Sequence, residues 1–354
     1  MVFHAAVKII LDKGGRKRMR KKWKKAACLL IAGILALLLC GCGRMGGAEE
    51  TEPGQRNTAD DGQAGQKPPL PEKLTVNADG VPVLRVYQVD EEETKELDLE
   101  TYLLGVVAGE MKNDWPLEAL KAQAILARTF VLKFCTEKES KYQGADISTD
   151  IEEAQAYDAT GVNDRVEQAV AETRGMVLSY HGELPYAWFH AHSGGATERA
   201  VEGLDYEKEE PGYTKVTQGR ESAQAPEDTR EWKAEFTGRE MIEALRKMGV
   251  QDIKEISSVE VGKKGESGRA VTLRINGESV SAPELRLALD STKLRSTLFT
   301  DIDKEEGKVV FHGKGYGHGV GMPQWGAYGM AEEGKTAEEI VRYYFHDVTV
   351  EKLW

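Results

Sequence analysis

The sequence predicts an α+β fold, mostly antiparallel sheet with packed helices, in one large domain over residues 73–354. Three observations lead there. Helical and strand-like segments interleave irregularly, without the strand–helix–strand rhythm of a parallel sheet. Ser/Thr-x-x-Glu capping boxes at Thr237–Glu240, Ser281–Glu284 and Thr336–Glu339 open short helices between strand-like runs. About 280 residues follow the N-terminal region, enough for one sizeable core, and no internal repeat is visible.

In chain order, residues 1–25 carry ten basic side chains against Asp12, and AACLLIAGILALLLCGCG (26–43) follows. A basic stretch, an apolar run and small residues form the pattern of an export segment. Leu39-Cys40-Gly41-Cys42 resembles a bacterial lipoprotein processing box, with Cys42 as the lipid-bearing first residue of the mature chain. The alternative is an uncleaved anchor, since roughly 17–25 apolar residues span a bilayer. Either reading ties the chain to the cell membrane through its N-terminus, with the body on the extracytoplasmic face. Residues 44–72 are rich in Gly, Pro, Gln and acids and lack apolar periodicity, so they read as a disordered linker.

Within the body, LTVNADGVPVLRVYQV (74–89) reads as two strands around Asp79-Gly80. LDLETYLLGVVAGEM (97–111) has helical spacing, with Asp98 as N-cap. A second helix starts at Pro116 and runs to about Phe134, and its alanines invite close packing. RVEQAVAETRG (165–175) is a helix closed by Gly175, and MVLSYHGELPYAWFHAH (176–192) reads as a hairpin turning at His181-Gly182. Strand-like EISSVEVGKK and RAVTLRING lie between the first two capping boxes. The third box opens AEEIVRYYF, before a closing strand VTVEKL.

Charge and cysteines exclude several classes. The chain is −12 overall and residues 1–25 are +9, so residues 26–354 sum to −21. Such a body is a poor nucleic-acid binder, because phosphate contact needs clustered Lys and Arg. Cys135 is the one cysteine beyond the export segment, so the body has no internal disulfide. At the tail of a helix it reads as a buried structural thiol.

Glu110, in GVVAGEM (105–111), sits between apolar Leu103–Val107 and Met111 and Trp115. Desolvation there raises a carboxyl pKa, which suits a general acid. Lys121 and Arg128, seven apart, share one stripe of the next helix. They either pair with acids such as Glu118 or face Glu110, where they would lower its pKa unless engaged by substrate anions. In WFHAHSGGATERA (188–200), His190 and His192 would share a strand face, either as two ligands of a metal or as polar groove residues; Ser193 opens a tight turn. In GKGYGHGVGMPQWGAYGMA (313–331), alternating glycines, if extended, leave one face bare, while Lys314, Tyr316 and His318 line the other. Gln324, Trp325 and Tyr328 add the amide and aromatic groups of a carbohydrate site.

Taken together, GVVAGEM, EALKAQAILARTF, FHAHSGGATE, KLRSTLF (293–299) and GYGHGVGMPQWGAYGMA resemble the stage II sporulation protein D and amidase-enhancer family of bacterial cell-wall proteins. The resemblance spans roughly 74–354, and the order and spacing match throughout. It implies a long substrate groove and lytic transglycosylase activity on peptide-stripped peptidoglycan glycan strands during sporulation (engulfment). It makes Glu110 the catalytic acid at the bond between N-acetylmuramic acid and N-acetylglucosamine. Substrate would be bound by Lys121, Arg128, His190, Ser193, Tyr316, His318 and Gln324. Implied partners are a cell-wall amidase and other engulfment proteins.

The alternatives are a non-catalytic glycan-binding enhancer of an N-acetylmuramoyl-L-alanine amidase, and a metal-dependent amidase built on His190 and His192. The chain departs from the family pattern at Lys112, Pro323 and Trp325. It also lacks the Cys/His set that some relatives carry after the alanine-rich helix, so neither metal nor cofactor is expected. A hydrolase would need a second carboxylate, for which Asp114, Glu118 and Glu198 are candidates.

Overall fold

The computed structural model describes residues 67–354. The export segment with Cys42, and residues 44–66 of the linker, lie outside them. No helix among the described residues is long and apolar enough to cross a membrane. Pro68 and Pro71 are buried, and Leu70 packs against the core.

The first half builds one layer of sheet and three helices. Strands β1 (Thr75–Val76), β2 (Pro82–Gln88) and β3 (Glu93–Asp98) pair antiparallel. The first turn is closed by the Asn77 side chain, which accepts from Asp79 N and Val81 N. Leu84 and Val86 alternate inward, as a half-buried strand requires. Helix α1 (Leu99–Glu110) is capped by Asp98, which accepts from Thr101 N at 3.0 Å. Helix α2 (Leu117–Glu137) begins one residue after Pro116 and runs three beyond Phe134. Its Ala119, Ala122, Ala124 and Ala127 are fully buried, so neighbouring helices approach it closely. Strand β4 (Ile147–Ser148) joins β2 in parallel, and helix α3 (Asp164–Glu172) packs on α2.

The hairpin expected over 176–192 forms only at its turn. His181 and Gly182 take positive φ (52° and 84°) and Tyr180 bridges Glu183. Pro185 then removes a ladder donor, and the two arms part. β5 (Met176–Ser179) is covered by the C-terminal strand, and β6 (Phe189–His190) pairs elsewhere.

The second half opens with two short helical turns and forms a second core. β7 (Glu231–Thr237) leads through the Thr237–Glu240 capping box into α4 (Gly238–Lys247). Strands β8 (Val259–Val261), β9 (Thr272–Ile275) and β10 (Glu278–Ser281) form one antiparallel sheet. α5 (Ala282–Leu289) follows, capped by Ser281. β11 (Phe299–Glu305) and β12 (Lys308–Lys314) complete a sheet with β7. Phe236, Met241, Leu273, Leu285 and Phe311 are the centre of this core. The chain then returns to the first core through β13 (Met322–Pro323), parallel to β6, and then α6 (Gln324–Glu332), α7 (Ala337–Tyr344) and β14 (Thr349–Lys352), which pairs with β5. The fold is α+β with several small, mainly antiparallel sheets.

Candidate active site

Glu110 is the last residue of α1, and two glycines of its own helix bury it. A Cβ on Gly105 would meet the Tyr157 ring at 2.4 Å, and one on Gly109 would meet the Ala156 backbone at 2.7 Å. Their absence lets residues 154–157 lie on the helix, and Ala156 N donates to Glu110 Oε1 at 2.7 Å. From the other side Gln324 Nε2, at the start of α6, donates to the Glu110 backbone carbonyl (3.1 Å) and to Oε2 (3.3 Å). Glu110 is 2% exposed. Burial pushes its carboxyl up from 4.5 to about 7, against the lowering effect of the bonds from Ala156 and Gln324.

The carboxyl lines a cleft of about 370 Å³. His190 from β6 and Gln324 line it from the first core, Arg286 and Asp290 from α5 and its C-cap, and Tyr316 and His318 from the glycine motif. The cleft therefore lies where the two cores meet. Both histidines in it are neutral. His190 Nδ1 faces the Val320 carbonyl at 3.1 Å, so that nitrogen carries the proton. His318 Nε2 faces the Phe189 carbonyl at 3.0 Å, while its Nδ1 accepts from Val320 N. Burial holds His190 well below its ordinary range and takes His318 to about 3. Neither adds a positive charge that would pull the Glu110 pKa back down.

Four expected site residues are thus brought to Glu110: His190, Tyr316, His318 and Gln324. Lys121, Arg128 and Ser193 do not line the cleft. Lys121 Nζ joins α2 to α3 through Glu118 (2.7 Å) and Glu172 (3.1 Å). The Arg128 side chain is fully buried. It pairs with Glu100 at the start of α1, Nη2 to Oε2 at 2.6 Å and Nε to Oε1 at 3.1 Å, and Nη1 donates to the Met176 carbonyl. Glu100 also accepts from Gly175 N and from Trp354 Nε1, so it ties α1, α2 and the chain's last residue together. Ser193 is fully buried, and its hydroxyl and N–H both donate to Glu221.

His190 and His192 do not act as a pair, because β6 ends at His190. His192 lines a separate depression with Glu221 and Arg230, and its Nδ1 accepts from Gly194 N. Among the described residues, no group of three or more His, Cys, Asp or Glu is placed to hold a metal ion.

The glycine motif is not an extended bare face. Gly315, Gly317, Gly319 and Gly321 all have positive φ. A Cβ on Gly317 would meet the His190 Cβ at 2.6 Å, and one on Gly321 the Trp188 carbonyl oxygen at 2.0 Å. These glycines let the chain thread against β6, and Gly317 also lines the cleft. Trp325 is likewise internal, tilted at 50° against Trp115 with ring centroids 4.4 Å apart, and both are buried. Cys135 is buried, and burial pushes its thiol up to about 12.

Of the three suggested second carboxylates, Asp114, Glu118 and Glu198, none lines the cleft; Glu152 and Asp290 do. Those two and Arg286 carry no sequence signal. They sit in a loop and at a helix end whose spacing is unremarkable until the two cores meet.

A family model described as stage II sporulation protein matches residues 87–180, and one described as a domain of unknown function matches 201–321. An uncharacterized protein of Brachyspira hyodysenteriae is 33% identical over 261 residues, covering 72% of this chain and 67% of that protein. The amidase enhancer of Bacillus subtilis is 27% identical over 291 residues, 70% of this chain but 40% of that protein. Stage II sporulation protein D of Bacillus subtilis is 31% identical over 282 residues, 75% of this chain and 78% of that protein. With its motifs in the same order and a match of that extent, the chain belongs to the family of stage II sporulation protein D and the amidase enhancers.

Proposed function

We propose that this chain is a membrane-tethered, extracytoplasmic lytic transglycosylase that cuts peptide-stripped peptidoglycan strands in a sporulating cell wall. The observation that carries the reading is Glu110, a carboxyl that burial holds near pKa 7 beside an open cleft. Near neutral pH, a good fraction of it still holds a proton to give. In the proposed reaction Glu110 protonates the glycosidic oxygen as the bond to the muramyl anomeric carbon breaks. The muramyl 6-hydroxyl oxygen then bonds to that carbon and returns its proton to Glu110. No water is consumed, so one carboxyl suffices. Relatives named for sporulation and for amidase enhancement support a cell-wall role with an amidase as partner. The basic N-terminus and apolar run at 26–43 support export and tethering.

The amidase-enhancer relative also favours a second reading, glycan binding without cleavage. Mass spectrometry of products from amidase-stripped strands separates the two. Transglycosylation yields 1,6-anhydro ends, one water lighter than hydrolytic ends. Intact strands would favour the enhancer reading, and hydrolytic ends would require a water-activating carboxylate from the cleft wall.

A further inference from the structure

Arg286 is the cation among the residues lining the Glu110 cleft, and it is 4% exposed. Two of its nitrogens hold the wall: Nε donates to the Arg295 carbonyl at 3.0 Å and Nη2 to the Ser291 carbonyl at 3.1 Å. Among the described residues, Nη1 has no hydrogen-bond partner and no carboxylate lies within ion-pairing distance of the guanidinium. Arg128, as deeply buried, is by contrast neutralised by Glu100 through two nitrogens. A buried guanidinium without a counter-charge is unfavourable unless something supplies one. Asp290, one turn further on, favours the charged guanidinium from beyond ion-pairing distance, while its Oδ1 accepts from Thr292 N at 2.9 Å. Nη1 is therefore left as a donor on a residue that lines the cleft a ligand would fill.

We infer that Arg286 is the specificity-determining residue of the cleft, reading a carboxylate carried by a sugar of the bound strand. The inference rests on the glycan reading and narrows it. Removing the stem peptide from muramic acid turns a lactyl amide into a free carboxylate, on every second sugar of the strand. A guanidinium nitrogen makes a charge-assisted hydrogen bond to a carboxylate that is stronger than its bond to a neutral amide. One carboxylate per disaccharide, seated at Arg286, would fix which of the two alternating glycosidic bonds lies at Glu110.

The test is binding by the full chain carrying Glu110→Gln, so that nothing is cut. The probes are a muramyl oligosaccharide with free lactyl carboxylates and the same oligosaccharide amidated at those groups. The acid form should bind at least about tenfold tighter, and added salt should narrow the gap. Adding Arg286→Gln should abolish the difference. If that variant does not fold, Arg286→Lys, which keeps the charge but loses the planar guanidinium that holds the wall and aims Nη1, should reduce it. Equal binding of acid and amide with Arg286 intact would overturn the inference and leave the glycan reading standing. Binding of neither would overturn both.

Discussion

Glu110 sits at the C-terminal end of a helix, in apolar surroundings, with two hydrogen bonds that favour its charged form and a desolvation cost that outweighs them. Its folded pKa of about 7 exceeds the unfolded 4.5, so the native state holds the proton more tightly. Stability from this group is complete below pH 4.5 and is lost as pH rises through about 7. The cost above neutrality is roughly 3 kcal/mol. Glu110→Gln keeps the acceptor for Ala156 N and removes the charge. Denaturant unfolding should therefore show the variant matching the parent near pH 4 and exceeding it at pH 8. A variant destabilised at both values would contradict the assigned environment. The neighbours of Glu110 in sequence suggested a raised pKa. They did not reveal the segment that seals it, since residues 154–157 reach it only through the two glycines of α1.

At the scale of elements, α2 separates what the sequence shows from what it hides. The seven-residue spacing does put Lys121 and Arg128 on one stripe, but helical periodicity does not say which neighbour that stripe meets. α1 and α3 meet it, with Glu100 and Glu172. Arg128→Gln leaves Glu100 partly buried without its counter-charge and should lower unfolding free energy by about 3–5 kcal/mol. Affinity for stripped glycan, per folded molecule, should not change. Normal stability with lost affinity would return Arg128 to substrate binding. Helix caps at Asp98, Thr237, Ser281 and Thr336 were legible because a cap is a local hydrogen bond. The partners of β5 and β6 were not, because both come from the end of the chain, more than 130 residues away.

At the scale of the whole molecule, the fold class followed from local patterns, whereas the cleft depends on tertiary structure. Residues from α1, β6, α5 and α6 meet there, and each lies in a segment that reads alone as ordinary helix or strand. Four residues of the two motifs did come together at Glu110, because the glycine-rich chain can pass close enough to β6 to carry Tyr316 and His318 there. The acidic walls contributed by Glu152 and Asp290, and the cation Arg286, belong to the meeting of two cores and were invisible before it. The central claim is that this cleft cuts glycan with Glu110 as its acid. It is tested most directly by the initial rate of chain shortening on amidase-stripped strands, compared between the parent and Glu110→Gln at pH 6.5. The account predicts a fall of at least about 100-fold with native folding retained. Near-parental shortening by the variant would contradict it.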